Sequence, residues 1–374
     1  MKLKLGDTEL ASNLLTSPLC GISNRPFRLL AKRFGSGLSY VEMLKARTVV
    51  DRHPKAMALL KYYADEKPLG AQFASSEPND LAEACKIAED MGFDTIDLNS
   101  GCPAGRVGKE LCGARLMSRP DVASKLMSAM KNAVKIPVTV KIRAGMDDTA
   151  LNFLEFGRIA QEEGMNWITM HPRTRAQGYK GDADHRRTAE LKAHVKIPVI
   201  ASGDVKEPKD ALAITDKLGI DGVMIGRGIY GKPWLYRRII AAQQGHNESE
   251  TPPPREVLHV LRWHFEGLME VFEARTACIL QRRYSGWYIK GIRGAPAWRA
   301  RFVKIETPEA FYDNWNQCDA ELAAMESRGE IEPTDPERLI WNRGSMISQG
   351  LTQDDLFSAE EKASAPSGRE VITA

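Results

Sequence analysis

Short runs of β-branched and aliphatic residues alternate along the chain with longer segments whose apolar residues recur at helical spacing. Eight such runs predict strands, at residues 13–19, 38–43, 69–74, 95–98, 138–142, 167–170, 199–201 and 222–225. Amphipathic stretches between them predict helices, among them residues 79–91, 120–134, 153–163 and 208–218. Strands and helices alternating in this number are typical of an α/β protein with a parallel (β/α)₈ TIM barrel. A doubly wound open sheet is the alternative.

The pattern changes after residue 242. Residues 243–254 are polar and end in three prolines, which predicts a linker after a barrel domain of residues 1–242. Residues 255–330 show helical periodicity without a strand signal, so we expect a small all-helical domain there. Residues 331–374 are rich in Pro, Asp, Glu and Ser and predict a partly disordered tail, although an apolar Leu-Ile-Trp segment at 339–341 could dock.

Composition limits the class of protein. A net charge of +3 over 374 residues is too small to indicate a nucleic-acid-binding protein by itself. The six cysteines form no Cys-x-x-Cys pair and no zinc spacing with the seven histidines, so we expect reduced thiols and no metal site. The N-terminus lacks the apolar core of a signal peptide, and no apolar run approaches the ~18 residues of a membrane helix. We therefore expect a soluble, cytoplasmic protein without membrane contact.

The segment Asp-Leu-Asn-Ser-Gly-Cys-Pro at residues 97–103 follows the fourth predicted strand. Gly101 permits a tight turn and Pro103 fixes the backbone, so the thiol of Cys102 is presented on a stiff turn. Loops that follow barrel strands converge on one pocket, where such enzymes carry out their chemistry. The alternative interpretation is a small core residue, because free cysteine commonly packs as an apolar side chain.

This motif resembles the signature of the tRNA-dihydrouridine synthase family, flavoenzymes that reduce uracil rings in tRNA. Three further segments resemble family motifs in the same order: residues 17–28 (SPLCGISNRPFR), 171–179 (HPRTRAQGY) and 283–291 (RYSGWYIKG). The resemblance extends over roughly residues 10–305 and is closest to the bacterial B-like subgroup, because the eighth strand leads into Met-Ile-Gly-Arg-Gly.

The resemblance implies a bound FMN. Gln72 would offer an amide to the pyrimidine edge of the flavin, and Lys141 would place a cation near N1, where negative charge develops on reduction. Glycine-rich loops after the seventh and eighth strands would bind the phosphate together with Arg227. The expected FMN contacts are Pro18, Leu19, Cys20, Gln72, Lys141, His171, Ser202, Gly203, Asp204, Gly226 and Arg227.

Four positions depart from the family pattern, which usually has alanine or glycine at Cys20, often aspartate at Asn24, glycine in many relatives at Pro172, and asparagine at Ser202. Cys20 is interpreted as a small packing residue, with a second thiol near the flavin as the alternative. Ser202 keeps a hydroxyl but loses an amide, which weakens its transfer as a flavin contact.

Reduction of the uracil C5=C6 bond requires a hydride at C6 and a proton at C5. A cysteine thiol with an ordinary pKa near 8.5 is mostly protonated at neutral pH, and the resemblance assigns the proton donor to Cys102. Cys112 is the alternative thiol, although its surroundings indicate local packing. The residues expected to contact the RNA are Asn99, Arg143, Arg173, Arg175, Tyr179, Arg282, Arg283, Arg293 and Lys304. For Arg173 and Arg175, a solvated surface loop is the alternative.

A basic run lies within the predicted helical domain. Residues 275–304 contain eight Lys or Arg residues and no Asp or Glu, interleaved with Tyr284, Trp287, Tyr288, Trp298 and Phe302. This combination suits phosphate neutralisation and stacking on unpaired bases, with about three of these aromatics expected in the core.

The sequence therefore predicts an FMN-dependent enzyme that uses NADPH to reduce uridines in tRNA, acting as a monomer without a protein partner. The alternatives are a flavin reductase of a small pyrimidine or enone, a synthase acting on rRNA, and an RNA-binding protein without catalysis.

Overall fold

A computed structural model describes residues 3–103, 111–246, 251–335 and 371–372. The eight predicted strands form one closed parallel barrel, in which each strand pairs with the next and β8 pairs with β1 through Val223 and Leu14. The strands are β1 (Leu14–Thr16), β2 (Leu38–Tyr40), β3 (Leu69–Ala74), β4 (Thr95–Ser100), β5 (Val138–Arg143), β6 (Ile168–His171), β7 (Val199–Ser202) and β8 (Gly222–Ile225). The TIM barrel is confirmed, and the open sheet is excluded.

Two predicted strands are longer than the strands of the structure, and in both the excess lies at the C-terminal end. Residues 17–19 leave β1 because Pro18 has no N–H for a ladder bond, and they form a turn closed by the Ile22 N–H bonding the Leu19 carbonyl. Residues 41–43 likewise follow the end of β2. Both overruns therefore belong to the loops at the C-terminal ends of the strands.

Helices surround the barrel. They are α1 (Arg25–Arg33), α2 (Ala46–Val50), α3 (Pro54–Leu60), α4 (Pro78–Asp90), α5 (Pro120–Ala133), α6 (Phe153–Glu162), α7 (Arg186–His194), α8 (Pro208–Leu212) and α9 (Leu235–Gln243). Proline begins α3, α4, α5 and α8, where its missing N–H costs no helix bond. The helix predicted at 208–218 divides, since a π-helical turn, Ala213–Lys217, continues α8.

The barrel interior is packed with side chains from the strands and the N-terminal hairpin. Leu5 lies in the two-stranded hairpin Lys4–Leu5 and Thr8–Glu9, Leu10 follows it, and both join Leu15, Trp167 and Ile200 in one buried cluster. The interior is therefore a core, and space for a ligand is left at the loop end of the barrel.

Four further helices pack against one side of the barrel: α10 (Pro254–Val271), α11 (Ala274–Tyr288), α12 (Ala295–Phe302) and α13 (Pro308–Ser327). Their apolar faces share one core with α1 and α9, including Phe27, Leu261 and Phe265. Asn24 Nδ2 also donates to the Tyr284 hydroxyl at 3.0 Å. The helical region is thus joined to the loop after β1 by both apolar and polar contacts.

The predicted linker and tail lie partly outside the described residues, which omit 247–250, 336–370 and 373–374. After α13 the chain turns back, and the backbone N–H and hydroxyl of Thr334 both donate to Glu326 Oε1, at 2.9 and 2.5 Å. Val371–Ile372 pairs antiparallel with Tyr62–Tyr63. Of the helices that the structure describes, none combines the length and apolarity needed to cross a membrane.

Candidate active site

A cavity of about 1620 Å³ lies over the C-terminal ends of the barrel strands. Its lining contains seventeen of the residues singled out in the sequence: Pro18, Leu19, Cys20, Gln72, Asn99, Cys102, Lys141, Arg143, His171, Arg173, Tyr179, Ser202, Gly203, Asp204, Gly226, Arg227 and Arg293. Arg175, Arg282, Arg283 and Lys304 do not line it. The prediction that these strand ends converge is confirmed, whereas the roles assigned to single residues stay predictions.

The Cys102 turn is held by hydrogen bonds on both sides. Asn99 Oδ1 accepts from the backbone N–H groups of Gly101 and Cys102, at 3.2 and 2.9 Å. The Cys102 carbonyl accepts from the Ala114 N–H at 2.9 Å, and a Cβ at Gly113 (φ +60°) would lie 2.9 Å from that carbonyl. The thiol is half-buried at the cavity, so the interpretation as a sealed core residue is wrong. The competing thiol, Cys112, is buried beneath it and does not line the cavity.

A chain of amide groups connects this turn to the centre of the barrel. The buried Asp97 carboxylate accepts from Thr139 Oγ1 at 2.6 Å and from Gln72 Nε2 at 2.8 Å. Because Gln72 turns its nitrogen toward Asp97, its oxygen accepts from Asn99 Nδ2 at 2.7 Å, and Asn99 Oδ1 then faces the turn. Burial raises the pKa of Asp97 to about 6, so the carboxylate is ionised at neutral pH.

Asp97 was missed as a site residue, although its signal was available. Positions 97 and 99 lie two apart on β4 and therefore share a face of the strand. Asp97 shows how the motif works: the strand carries a carboxylate that orients the amides, and the amides hold the cysteine turn.

Lys141 lies half-buried in the cavity on β5. Burial and the charge of Arg143 lower its pKa to about 8, against the opposing influence of Asp97 and Cys102. The ammonium forms no hydrogen bond with any residue that the structure describes, so it is available to an acceptor or anion placed in the cavity.

Arg143 ties two loops together. The side chain is buried, and it donates through Nε to the Gly101 carbonyl at 2.7 Å and through Nη1 to the carbonyls of Thr174 and Gly178, each at 2.8 Å. Burial is the main reason that its pKa is lowered. The loop that carries Cys102 and the loop after β6 therefore hold a fixed relation to one another.

His171 and Arg173 are both buried in the loop after β6. His171 Nδ1 accepts from the Arg173 N–H at 3.3 Å, and burial, together with Lys141 and Arg143, holds the pKa of His171 far below its usual range. The imidazole is therefore neutral and carries its proton on Nε2 as a donor. Arg173 pairs with Asp204 at 2.6 Å and bonds the carbonyls of Lys180 and Gly181, so its interpretation as a solvated side chain is wrong.

Tyr179 stands at the entrance to the cavity with 56% of its surface exposed. The guanidinium groups of Arg227 and Arg143 lie 4.6 and 5.4 Å from its ring centre, and the His171 ring is edge-on at 6.3 Å. An exposed ring held by two cations offers a surface on which a planar base can stack.

Two glycines in the loops after β7 and β8 are packed too closely for a larger residue. A Cβ at Gly203 (φ +119°) would lie 3.0 Å from the Ala183 methyl, and one at Gly228 would lie 2.0 Å from the Val205 carbonyl. Asp204 accepts from the Ala183 N–H at 2.8 Å and lies 4.0 Å from Arg227, whose side chain is 54% exposed. Asp204 thus holds the loop, while the half-exposed Arg227 side chain lines the cavity.

Cys20 is exposed at the cavity, so its interpretation as a small packing residue is wrong. Partial burial, followed by the charges of Glu42 and Cys102, raises the pKa of its thiol. Glu42 accepts from the Gly21 N–H at 2.5 Å, which fixes the turn that carries Cys20.

The basic residues of the helical region are largely engaged within the protein. Arg282 donates to the Ile305 carbonyl at 2.7 Å and lies 3.8 Å from Glu306, whereas Arg283 bonds the Gly21 carbonyl. Arg293 pairs with Glu330 at 2.7 Å. Lys304 is exposed.

Four of the five aromatic residues are buried rather than the expected three: Tyr284, Tyr288, Trp298 and Phe302. Tyr284 and Trp298 are therefore core residues, and stacking by either ring was expected only if it were exposed. The fifth, Trp287, stacks on Tyr230 at 4.2 Å, and both rings line the cavity.

Comparison with known proteins gives one consistent result. The family profile described as dihydrouridine synthase matches residues 15–325. A probable tRNA-dihydrouridine synthase of Rickettsia bellii is 37% identical over 83% of this chain and 96% of its own length. The tRNA-dihydrouridine synthases B of Proteus vulgaris and Vibrio cholerae are 34% and 33% identical, over 84% and 83% of this chain and 99% of their own lengths.

Proposed function

The chain belongs to the dihydrouridine synthase family, and on that premise we propose that it reduces the C5=C6 bond of specific uridines in tRNA to 5,6-dihydrouridine. The observation that carries the proposal is the half-buried Cys102 thiol, fixed on its turn in the same cavity as the Lys141 ammonium and the donors of the last two barrel loops. A thiol and a set of anion donors above one barrel suit a reaction that joins proton donation to a phosphorylated redox cofactor.

The cavity fits FMN on chemical grounds. Lys141 is a cation without a hydrogen-bond partner among the described residues, and the neutral His171 supplies a donor from Nε2. A Cβ at Gly226 would meet its nearest neighbour, Leu19, only at 3.5 Å, which leaves room beside this loop, and Arg227 projects from the next position. Lys141 and His171 would contact the isoalloxazine, while the backbone of Gly203 and Gly226 and the Arg227 guanidinium would hold the phosphate.

FMN bound there, once reduced by NADPH, would supply the hydride for C6 of the uracil. Cys102 would deliver the proton to C5, and the bonds from Asn99 and Ala114 to its turn would keep the thiol at one distance from the base. Arg143 would maintain the turn through the Gly101 carbonyl.

The target base must leave the RNA stack to reach Cys102, at a cost of a few kcal/mol. Tyr179, an exposed ring beside Arg227 and Arg143, would receive it by stacking. Lys290, Arg293 and Lys304 on the helical side would contact the RNA backbone.

The test is a reduction assay with the purified, FMN-loaded protein, NADPH and unmodified tRNA, followed by nucleoside analysis. We expect dihydrouridine in tRNA and none in free uracil or rRNA supplied at equal uridine concentration. Reduction of a free pyrimidine or an enone without tRNA would instead identify a small-molecule reductase. RNA binding by a protein that takes up no flavin would identify a binding protein.

A further inference from the structure

The chain continues beyond the part that it shares with its family. The family match ends at residue 325, and residues 326–374 carry ten acidic and five basic side chains, a net charge of −5 against +8 for the rest of the chain. An acidic extension on a basic body that acts on a polyanion is attracted to the surface that the polyanion uses.

The described start of this extension is fixed to the helical region. Arg255 on α10 pairs with Asp319 at 2.9 Å and with Glu326 at 3.0 Å. Glu326 in turn accepts both hydrogen bonds from Thr334, which is buried. These contacts return residues 330–335 toward the barrel as a defined segment, here termed the acidic wall.

The acidic wall borders the catalytic cavity. Ile331, Glu332, Pro333 and Asp335 line the same cavity as Cys102 and Tyr179. The prolines at 252–254, Lys290 and Arg293 line the same cavity, and Glu330 of the acidic wall bonds Arg293. RNA entering the cavity from the helical side therefore meets carboxylates at its edge.

Glu330 forms an ion pair with Arg293, a residue that was predicted to contact RNA. Its carboxylate bonds Arg328 Nε at 2.5 Å and Arg293 Nη1 at 2.7 Å. Arg328, and to a lesser extent Arg293, lowers the pKa of Glu330, so the pair is ionised at neutral pH. The Arg293 side chain is 63% exposed, so a phosphate that approaches this guanidinium meets the Glu330 carboxylate already paired with Nη1.

We propose that the acidic wall is an internal competitor for RNA: Glu330 holds Arg293, and Glu332 and Asp335 set negative charge at the cavity edge, so the segment weakens RNA binding at the catalytic face. This inference rests on the proposed function, because it takes RNA as the substrate that enters the cavity. The effect is local, since it depends on the pairing of Glu330 with Arg293 and on the place of the segment beside the cavity.

The test neutralises the wall with the triple substitution Glu330→Gln, Glu332→Gln and Asp335→Asn in the full-length, flavin-loaded protein. The matched control makes the same change in charge with Glu155→Gln, Glu190→Gln and Asp313→Asn, which are exposed and do not line the cavity. We expect the wall variant to bind tRNA ~10-fold more tightly at low salt, with the gain shrinking as salt rises, and the control to change by less than ~2-fold. Equal gains in both variants, or none in the wall variant, would overturn the proposal.

A double-mutant cycle tests the central contact. Glu330→Gln alone should tighten tRNA binding by ~2- to 5-fold, the scale of an exposed ion pair, and should steepen the slope of log affinity against log salt by about 0.7–0.9 as one phosphate contact is gained. In a protein that also carries Arg293→Ala, Glu330→Gln should have a clearly smaller effect, limited to the release of Arg328. Weaker binding by Glu330→Gln would instead make the segment part of the RNA platform and overturn the proposal. The affinity for tRNA reports on the acidic wall without depending on catalysis. If the variants change tRNA affinity as expected but the protein forms no dihydrouridine, the proposed function is contradicted and this inference is not.

Discussion

The barrel loops and the helical region both carry conspicuous polar residues, but they use them differently. At the barrel, Lys141 and the Arg227 guanidinium face open cavity, while neighbouring carboxylates such as Asp97 and Asp204 bond to the protein. In the helical region, Arg282, Arg283 and Arg293 bond to carbonyls and carboxylates of the chain itself. Cations at the barrel therefore remain available to a ligand, whereas these three arginines would have to exchange or share their partners to contact RNA.

This difference follows from topology. Parallel strands deliver their ends to one place, so residues far apart in sequence converge on one cavity. Helices packed on a core instead place charged residues beside one another's termini and loops, where carbonyls and acidic side chains satisfy them.

Substitution of Cys102 should have the greatest effect of all, and it should slow uridine reduction without changing flavin binding. Cys102→Ala should lower the rate of uridine reduction by ~10²- to 10⁴-fold, the range of a lost general acid, while flavin content and NADPH oxidation stay near wild type. Cys112→Ala is the matched control and should keep most activity, because this thiol does not line the cavity. Stopped-flow measurement of the two half-reactions separates the steps, and full activity in Cys102→Ala would remove the proton-donor assignment.

The second prediction concerns the helical aromatics. Trp298→Ala should cost ~3–5 kcal/mol of folding stability, because the ring is fully buried and its Nε1–H donates to Glu321 at 2.6 Å. Affinity for tRNA, measured well below the unfolding midpoint, should change little. A large loss of affinity with unchanged stability would show that the ring contacts RNA after all.

The third prediction uses the pKa of Lys141. Its value of about 8 means that the ammonium predominates at pH 7 and the neutral amine at pH 9, so FMN affinity of the flavin-free protein should fall as pH rises between them. Lys141→Met should bind FMN more weakly and lose this pH dependence, and Arg227→Ala should bind more weakly but keep it. Fluorescence titration of FMN across the pH range checks both. The same pH dependence in Lys141→Met would place the titrating group elsewhere.

Substitutions of single basic residues in the helical region should have the smallest effects, and an exposed residue should respond differently from one bonded within the protein. Lys304→Ala removes an exposed cation and should weaken tRNA binding by a few-fold, with the salt slope reduced by about one. Arg282→Ala should mainly lower stability, because it removes the bond to the Ile305 carbonyl. Titrations at several salt concentrations, paired with thermal unfolding, separate these outcomes. Equal changes in tRNA affinity and in thermal stability for the two variants would show that the exposed lysine and the bonded arginine do not differ in role.

The sequence predicted the barrel well because period and strand length are local properties. It could not predict the amide chain through Asp97, Gln72 and Asn99, since the order of donors depends on distances across neighbouring strands. The ion pairs of the basic run at 275–304 could not be predicted for a related reason. The run itself contains no acid, but Glu306 and Glu330 lie outside its limits and return to it in space.

Two segments that line the cavity could not be predicted from the local sequence pattern either. Residues 243–254 were expected to act as a linker and residues 331–374 as a tail, yet residues 251–254, 331–333 and 335 line the cavity. Each segment is polar and lacks periodicity, so only the packing of the helices shows where it lies.

The central claim is that this chain makes dihydrouridine in tRNA through Cys102. The most direct measurement maps dihydrouridine in the RNA of cells that lack the protein and carry either the wild-type chain or Cys102→Ala. We expect defined tRNA positions to lose the modification in cells that lack the protein, to regain it with the wild-type chain and not to regain it with Cys102→Ala. Unchanged tRNA in the cells that lack the protein, or full restoration by Cys102→Ala, would contradict it.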